Sequence, residues 1–259
     1  MSTLRYVYGI VPAALAPGIE QASLFGIDDG QVRTIVSEPF AAAYSEVDAG
    51  EYGDEGLNDR VRDLDWLTPR AASHQAVNAK LLEIAGVVLP LSFGALYRDD
   101  ERVREMLRED VPARKERLRA LSGRAEWVVT VLRGRAQEAG DGDGALRELD
   151  REIESSAPGK GYLLTKRRAA VAKDASERAD ADAADRALSH LVRASERTYR
   201  ESVVQGGDDV VVLRVSILAP RSGAGTMDGA IAQVTKELEP LGYHVRATGP
   251  WPAYRFGAL

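Results

Sequence analysis

The stretch from Pro158 to Val204 constrains this chain most, because it reads as one long helical pattern held between strand-like segments. Ala184, Leu188, Leu191, Ser195, Tyr199 and Val203 recur at spacings of three and four, which predicts a narrow apolar stripe along one helix face. Asp174/Arg178, Asp182/Arg186 and Glu196/Arg200 are acid-before-base pairs four apart, worth ~0.3–0.5 kcal/mol each on an exposed helix. The alanine-rich run from Ala169 to Ala187 favours helix but offers few large side chains, so it is expected to pack little and to project. On either side lie predicted strands at Glu126–Leu132 and Val210–Leu218. A helix capped by Thr226 or Asp228 and stopped at Glu239-Pro240 follows, and then a strand from Tyr243 to Thr248. Such alternation calls for helices laid over an antiparallel sheet, an α+β class.

The first part repeats the pattern. Leu4–Val11, Gln31–Ser37 and Ala41–Val47 are β-rich runs, the last two separated by the turn pair Glu38-Pro39. Thr68 followed by Pro69 predicts a helix start, and Gly86 predicts its end. Val87–Leu91 reads as a short buried strand. Asp99 or Asp100 and then Pro112 open two further amphipathic helices, the second closing near Gly123. The parts divide as 1–123 and 124–259, the second holding the long helix 158–204 and a tail 249–259. Gly140–Gly144 reads as a linker.

Apolar residues make up 44% and charged residues 29%, enough apolar surface for packed cores. No apolar run approaches the ~20 residues of a membrane span, and the N-terminus lacks the basic-then-apolar pattern of a secretory signal. Cysteine is absent, which removes disulfides, thiolate metal sites and thiol nucleophiles. The net charge of -6 is distributed as -7 over residues 1–97, +2 over 98–124 and -1 over the remainder. No block of positive charge suits a nucleic-acid backbone. Eight carboxylates lie between Glu46 and Asp65, but their spacing matches no calcium loop, so a solvated loop and helix face is expected.

No catalytic residues, cofactor-binding residues or metal ligands emerge. His74, His190 and His244 stand alone, two in predicted helices and one in a strand. Pro90-Leu-Ser-Phe-Gly94 lacks the first glycine of a nucleophile elbow. Gly223-Ala-Gly225 lacks the third glycine of a dinucleotide loop and has Asp228 where a pyrophosphate would be repelled. Gly159-Lys160-Gly161 is no phosphate-binding loop, and the Asp141/Asp143 segment has Ala145 and Leu146 at positions an EF-hand reserves for a ligand and glycine. A binding or structural role is favoured over an enzyme. The alternatives are an α+β enzyme or small-ligand sensor with an interdomain site, and a scaffold that self-associates through Ala184–Val203.

Five segments in order resemble the GvpF/GvpL family of gas vesicle proteins: Tyr6–Ile10, Val88–Gly94, Leu121–Trp127, Gly159–Leu163, and the ending Gly249-Pro-Trp-Pro-Ala-Tyr-Arg-Phe256. Arg214–Leu218 departs from the family's usual run. The resemblance implies two domains, each a modified ferredoxin-like unit with an antiparallel sheet and helices on one face. It further implies a cytosolic accessory protein of gas vesicle assembly, without catalytic activity. Its partners would be the apolar shell protein GvpA and other accessory Gvp proteins, not nucleic acid or membrane. Trp251, Tyr254 and Phe256 are the candidate partner-binding residues. They have a second reading, the favoured one, as a hydrophobic clasp folded back on a domain, because exposed aromatics reduce solubility.

Overall fold

The β-rich runs of the first hundred residues close into a sheet buried on both faces. The structure, a computed structural model, describes residues 2–53, 57, 60–134, 144–203 and 209–257. Two compact units form. One comprises Met1–Trp127, Leu218–Ser222 and Gly249–Leu259, and the other Val128–Ile217 and Gly223–Thr248.

In the first unit β1 (Thr3–Pro12) runs antiparallel to β3 (Phe40–Asp48), with β2 (Arg33–Ser37) outside β3 and the two-residue β4 (Leu89–Pro90) on the other side of β1. The pair β5 (Leu96–Tyr97) also joins β1. Short helices α1 (Ala16–Gln21) and α2 (Ala49–Tyr52) link these strands to α3 (Leu64–Ala85). Tyr6 and Tyr8 point toward α3, while Val7 joins Phe40, Tyr44, Val103, Leu107 and Leu118 in a core on the opposite face. That second face is covered by α4 (Asp100–Arg108) and α5 (Val111–Leu121).

Three local expectations shift. α3 begins at Leu64 rather than after Thr68, because the Asp63 carboxylate accepts from the N–H groups of Asp65 and Trp66 and the extra turn buries Trp66. Pro69 therefore lies inside the helix, near its N-terminus, where the broken backbone bond faces exposed Asp65. The end at Gly86 is as expected, with the left-handed φ of 69° that glycine accepts readily. Val87–Leu91 contributes only Leu89 and Pro90 to the sheet. The acidic segment is also less idle than a solvated face: Glu46 pairs with Arg5, and Asp48 and Asp63 each cap a helix.

The second unit is built on β6 (Arg124–Gly134), β7 (Arg197–Arg200), β8 (Asp209–Pro220) and β9 (Tyr243–Trp251), in the order β7-β8-β6-β9. This is the same permutation as β2-β3-β1-β4 of the first sheet. Both orders are consistent with ferredoxin-like βαββαβ units. Its helices are α6 (Gly144–Glu154), α7 (Pro158–Arg193) and α8 (Ala224–Leu238). α6 was not anticipated; Leu146 and Leu149 bury it, and it packs along α7. α8 begins before Thr226 and Asp228, which lie inside it. Of the expected linker, residues 140–143 lie outside the described residues, and Gly144 opens α6.

α7 ends at Arg193, so the predicted stripe is cut: Ser195 lies beyond the helix, Tyr199 belongs to β7, and Val203 follows that strand. Strand pairing outcompetes helix propensity here, and Glu201 N–H continues the pairing to the Arg214 carbonyl. What remains of the stripe, with Ala183 and Ala187, is buried within the unit at Ala184 and Leu191. Arg133 forms a two-point ion pair with Asp180, which also accepts from the Tyr243 hydroxyl. Burial and that carboxylate push the Tyr243 phenol up to about 12.

Candidate functional site

The tail and the α3 face of the first sheet meet at the most chemically varied place in the first unit. α3 supplies His74 and Asn78 one turn apart, both buried. The His74 Nε2 lies 3.2 Å from the Leu91 carbonyl, which only accepts, so Nε2 carries the proton. Nδ1 then accepts from the Tyr6 hydroxyl at 2.9 Å, and that hydroxyl accepts in turn from the Gly94 N–H. Burial lowers the His74 pKa from 6.5 to about 4, so the ring is neutral at pH 7. Asn78 donates to the Tyr8 carbonyl at 3.1 Å. Tyr8 donates to Ser45 and accepts from the Ile27 N–H.

The three tail aromatics occupy different settings. Phe256 packs against the first unit's core, beside Ala253, which is part of it. Tyr254 sets its ring 6.3 Å from that of His74 and is half-buried, its hydroxyl sealed from solvent. Burial raises its pKa. Trp251 is half-exposed at the end of β9. The path is fixed by Gly249 at φ 133°, where a Cβ would stand 2.8 Å from the Glu126 carbonyl oxygen and 2.9 Å from the Trp127 ring. Farther on, the Arg255 N–H donates to the Glu126 carboxylate at 2.8 Å.

Tyr254 and Ser92 are shared walls of two cavities. The larger, about 660 Å³, is otherwise lined by Leu67, Thr68, Ala71, Ala72, His74, Gln75 and Phe93. The smaller, about 340 Å³, reaches Arg114, whose guanidinium donates to the Met106 and Glu109 carbonyls at the C-terminal end of α4. A network missed in the sequence borders this region. Arg70 donates to Tyr52, pairs with Asp28 and Glu51, and stacks 4.4 Å from the Trp66 ring centre. Nothing in the spacing of Asp28, Glu51 and Arg70 betrays it, because a turn, a short helix and α3 bring them together.

A histidine in a cavity beside a carboxylate would favour an enzyme or sensor. The two features fall on different residues. His74 lines the larger cavity, but its ring is partnered by the Tyr6 hydroxyl and a backbone carbonyl. His190 stands 3.1 Å from Glu237 on the second unit and lines neither cavity. His244 is exposed on β9. Among the described residues no group of three or more His, Asp or Glu is placed to hold a metal ion, and no helix is long and apolar enough to cross a membrane.

Comparison with known proteins places these features in a family. The profile of the gas vesicle synthesis protein GvpL/GvpF family matches residues 4–258. Gas vesicle protein L of Streptomyces sp. (strain CB03234) is 30% identical, over 100% of this chain and 95% of that one. Gas vesicle protein F of the same strain is also 30% identical, over 99% of both. Among solved structures, the crystal structure of GvpF from Anabaena sp. PCC7120 superposes with a TM-score of 0.77 at 17% identity, over 100% of this chain and 99% of that one.

Proposed function

The chain belongs to the GvpL/GvpF family of gas vesicle proteins, and from that premise we propose that it is a non-enzymatic accessory protein of gas vesicle assembly, acting in the cytoplasm and at the vesicle. It holds or delivers the apolar shell protein GvpA and works with other accessory Gvp proteins. The observation that carries the reading is the family match across residues 4–258. The physical need is plain: a subunit with a large apolar face aggregates before it assembles unless that face is covered reversibly.

Two surfaces support the reading. The larger cavity presents Leu67, Ala71, Ala72 and Phe93 beside Tyr254, an apolar seat for a segment of a shell subunit. The tail residues Trp251, Tyr254 and Phe256 are each only partly buried, Phe256 against the core, so partner contact at Trp251 and Tyr254 is part of the proposal. The edges at β2 and β7 are less inviting. The Thr34 N–H on the outer strand β2 is already taken by the Glu20 carboxylate at 2.6 Å, and β7 has only four residues, two of them arginine.

Co-purification of the intact protein with GvpA at micromolar concentrations tests the partner. Ala72→Glu, at the cavity wall, should weaken capture while leaving the far-ultraviolet circular dichroism unchanged. Absence of any complex, or normal buoyancy in cells lacking the gene, would refute the proposal.

A further inference from the structure

A guanidinium buried in the first unit is only partly satisfied. Arg114 sits on the first turn of α5, is 6% exposed, and is the one cation among the residues that line the smaller cavity. Its Nη1 donates to the Met106 and Glu109 carbonyls and so closes the C-terminal end of α4. That capping uses one nitrogen of three. Nε is shut off from bulk water and has no acceptor among the described residues. The Glu109 carboxylate stands 4.0 Å from Nη2, too far for a hydrogen bond, and is 72% exposed. What is left over is the Nε–Nη2 edge, two parallel N–H groups that match the two oxygens of a carboxylate. A buried cation without a hydrogen-bonded counter-ion is costly, so the fold holds an unmet demand for negative charge here.

We infer that the smaller cavity is a binding socket for a carboxylate, held at two points on the Nε–Nη2 edge of Arg114. Its volume of about 340 Å³ lies within the range of small-ligand sites. Ser92 and Tyr97 bring hydroxyl groups to the lining. Burial raises the Tyr97 phenol above its ordinary pKa, so it stays protonated at neutral pH and keeps a proton to donate. Met106 and Tyr254 add apolar surface for the carbon chain that carries the carboxylate. Charge selects a monoanion. With Glu109 close by, the second charge of a phosphate dianion is repelled, whereas one carboxylate balances one guanidinium. Glu109 also competes for the same nitrogen and holds the affinity down. A small free acid and an acidic group on a partner protein present the same two oxygens. Capping of α4 accounts for Nη1 and leaves the open edge unexplained; the carboxylate accounts for it. All the residues of the socket belong to the first unit, and its chemistry does not depend on the shell-protein reading.

NMR on the isotope-labelled full chain, at constant ionic strength made up with chloride, tests the socket. Sodium butyrate, raised to about 50 mM, should shift the Arg114 Nε–H signal saturably, and butylammonium chloride should not. Glu109→Gln should tighten butyrate binding about threefold or more, because a competing carboxylate is gone while the backbone carbonyl that Arg114 caps remains. Arg114→Lys, followed through the backbone amide of Ala95, should abolish saturation, since it keeps the charge and loses the fork. An end-blocked peptide with one glutamate between leucines identifies the source. Saturation at about a tenth of the butyrate concentration or less marks a protein-borne carboxylate, and binding no tighter than butyrate marks a small free acid; both uphold the socket. No saturable shift with butyrate or peptide, tighter binding of phosphate than of butyrate, saturation that survives Arg114→Lys, or unchanged affinity in Glu109→Gln would overturn the inference.

Discussion

Lowering the pH should unfold the first unit through His74 ahead of the general carboxylate titration. In the unfolded chain this imidazole has a pKa of 6.5, and in the folded chain burial holds it at about 4. Between those values the unfolded state binds the extra proton, so protons favour unfolding. The stabilisation is therefore complete above pH 6.5, falls as the pH drops toward 4 by up to ~1.4 kcal/mol per unit, and levels off below. The whole window amounts to about 3 kcal/mol, and the step from pH 7 to pH 5 alone to about 2 kcal/mol. Trp66, Trp127 and Trp251 are the chain's three tryptophans and lie within the bounds of the first unit, Trp66 on α3 and the other two on β6 and β9, so their fluorescence reports its unfolding. Urea titrations at pH 7 and pH 5 should be run on the native chain and on His74→Gln, whose side chain does not titrate. The native protein should lose about 2 kcal/mol more than the variant between the two pH values. Equal losses, or a His74 ring titrating near 6.5 by NMR in the folded protein, would refute the reasoning.

Other consequences follow from the tail and the sheet edge. Truncation after Thr248 removes Ala253 from the first core and Phe256 from its flank and should lower that unit's stability by about 3 kcal/mol or more, read from the same fluorescence. Unchanged stability together with lost partner binding would instead make the tail an anchor alone. Gly249→Ala should cost about 2–4 kcal/mol, because a Cβ there meets the Glu126 carbonyl and Trp127 ring and φ is 133°. Glu20→Ala frees the Thr34 N–H on an outer strand and should increase aggregation, measured by light scattering on mild heating, with little change in the unfolding midpoint.

The features legible in the sequence were those written in local periodicity and punctuation. The run from Tyr6 to Ile10, the stop at Gly86, the Asp99 cap and the β-rich Val210–Leu218 each carry their reason within a few residues, and each stands where expected. So does the alternation that makes the chain α+β with two sheets. Local propensity misleads where burial or pairing decides. Trp66 pulls the start of α3 back past Pro69, and the pairing of β7 with β8 ends α7 before the stripe is complete.

The candidate site was less legible than the fold. Trp251, Tyr254 and Phe256 could be picked out as a set, but not that Phe256 packs against a core while Tyr254 walls two cavities. His74 could be seen as a lone histidine, but not as a neutral one clamped between Tyr6 and Leu91. Order along the chain thus determined the elements, the family and the residues worth watching, because helix and strand signals extend over one or two turns. Which carboxylate meets Arg70, which ring faces the tail and which side of α7 stays open were decided only by tertiary structure, because burial and charge pairing act between residues that the chain itself holds far apart.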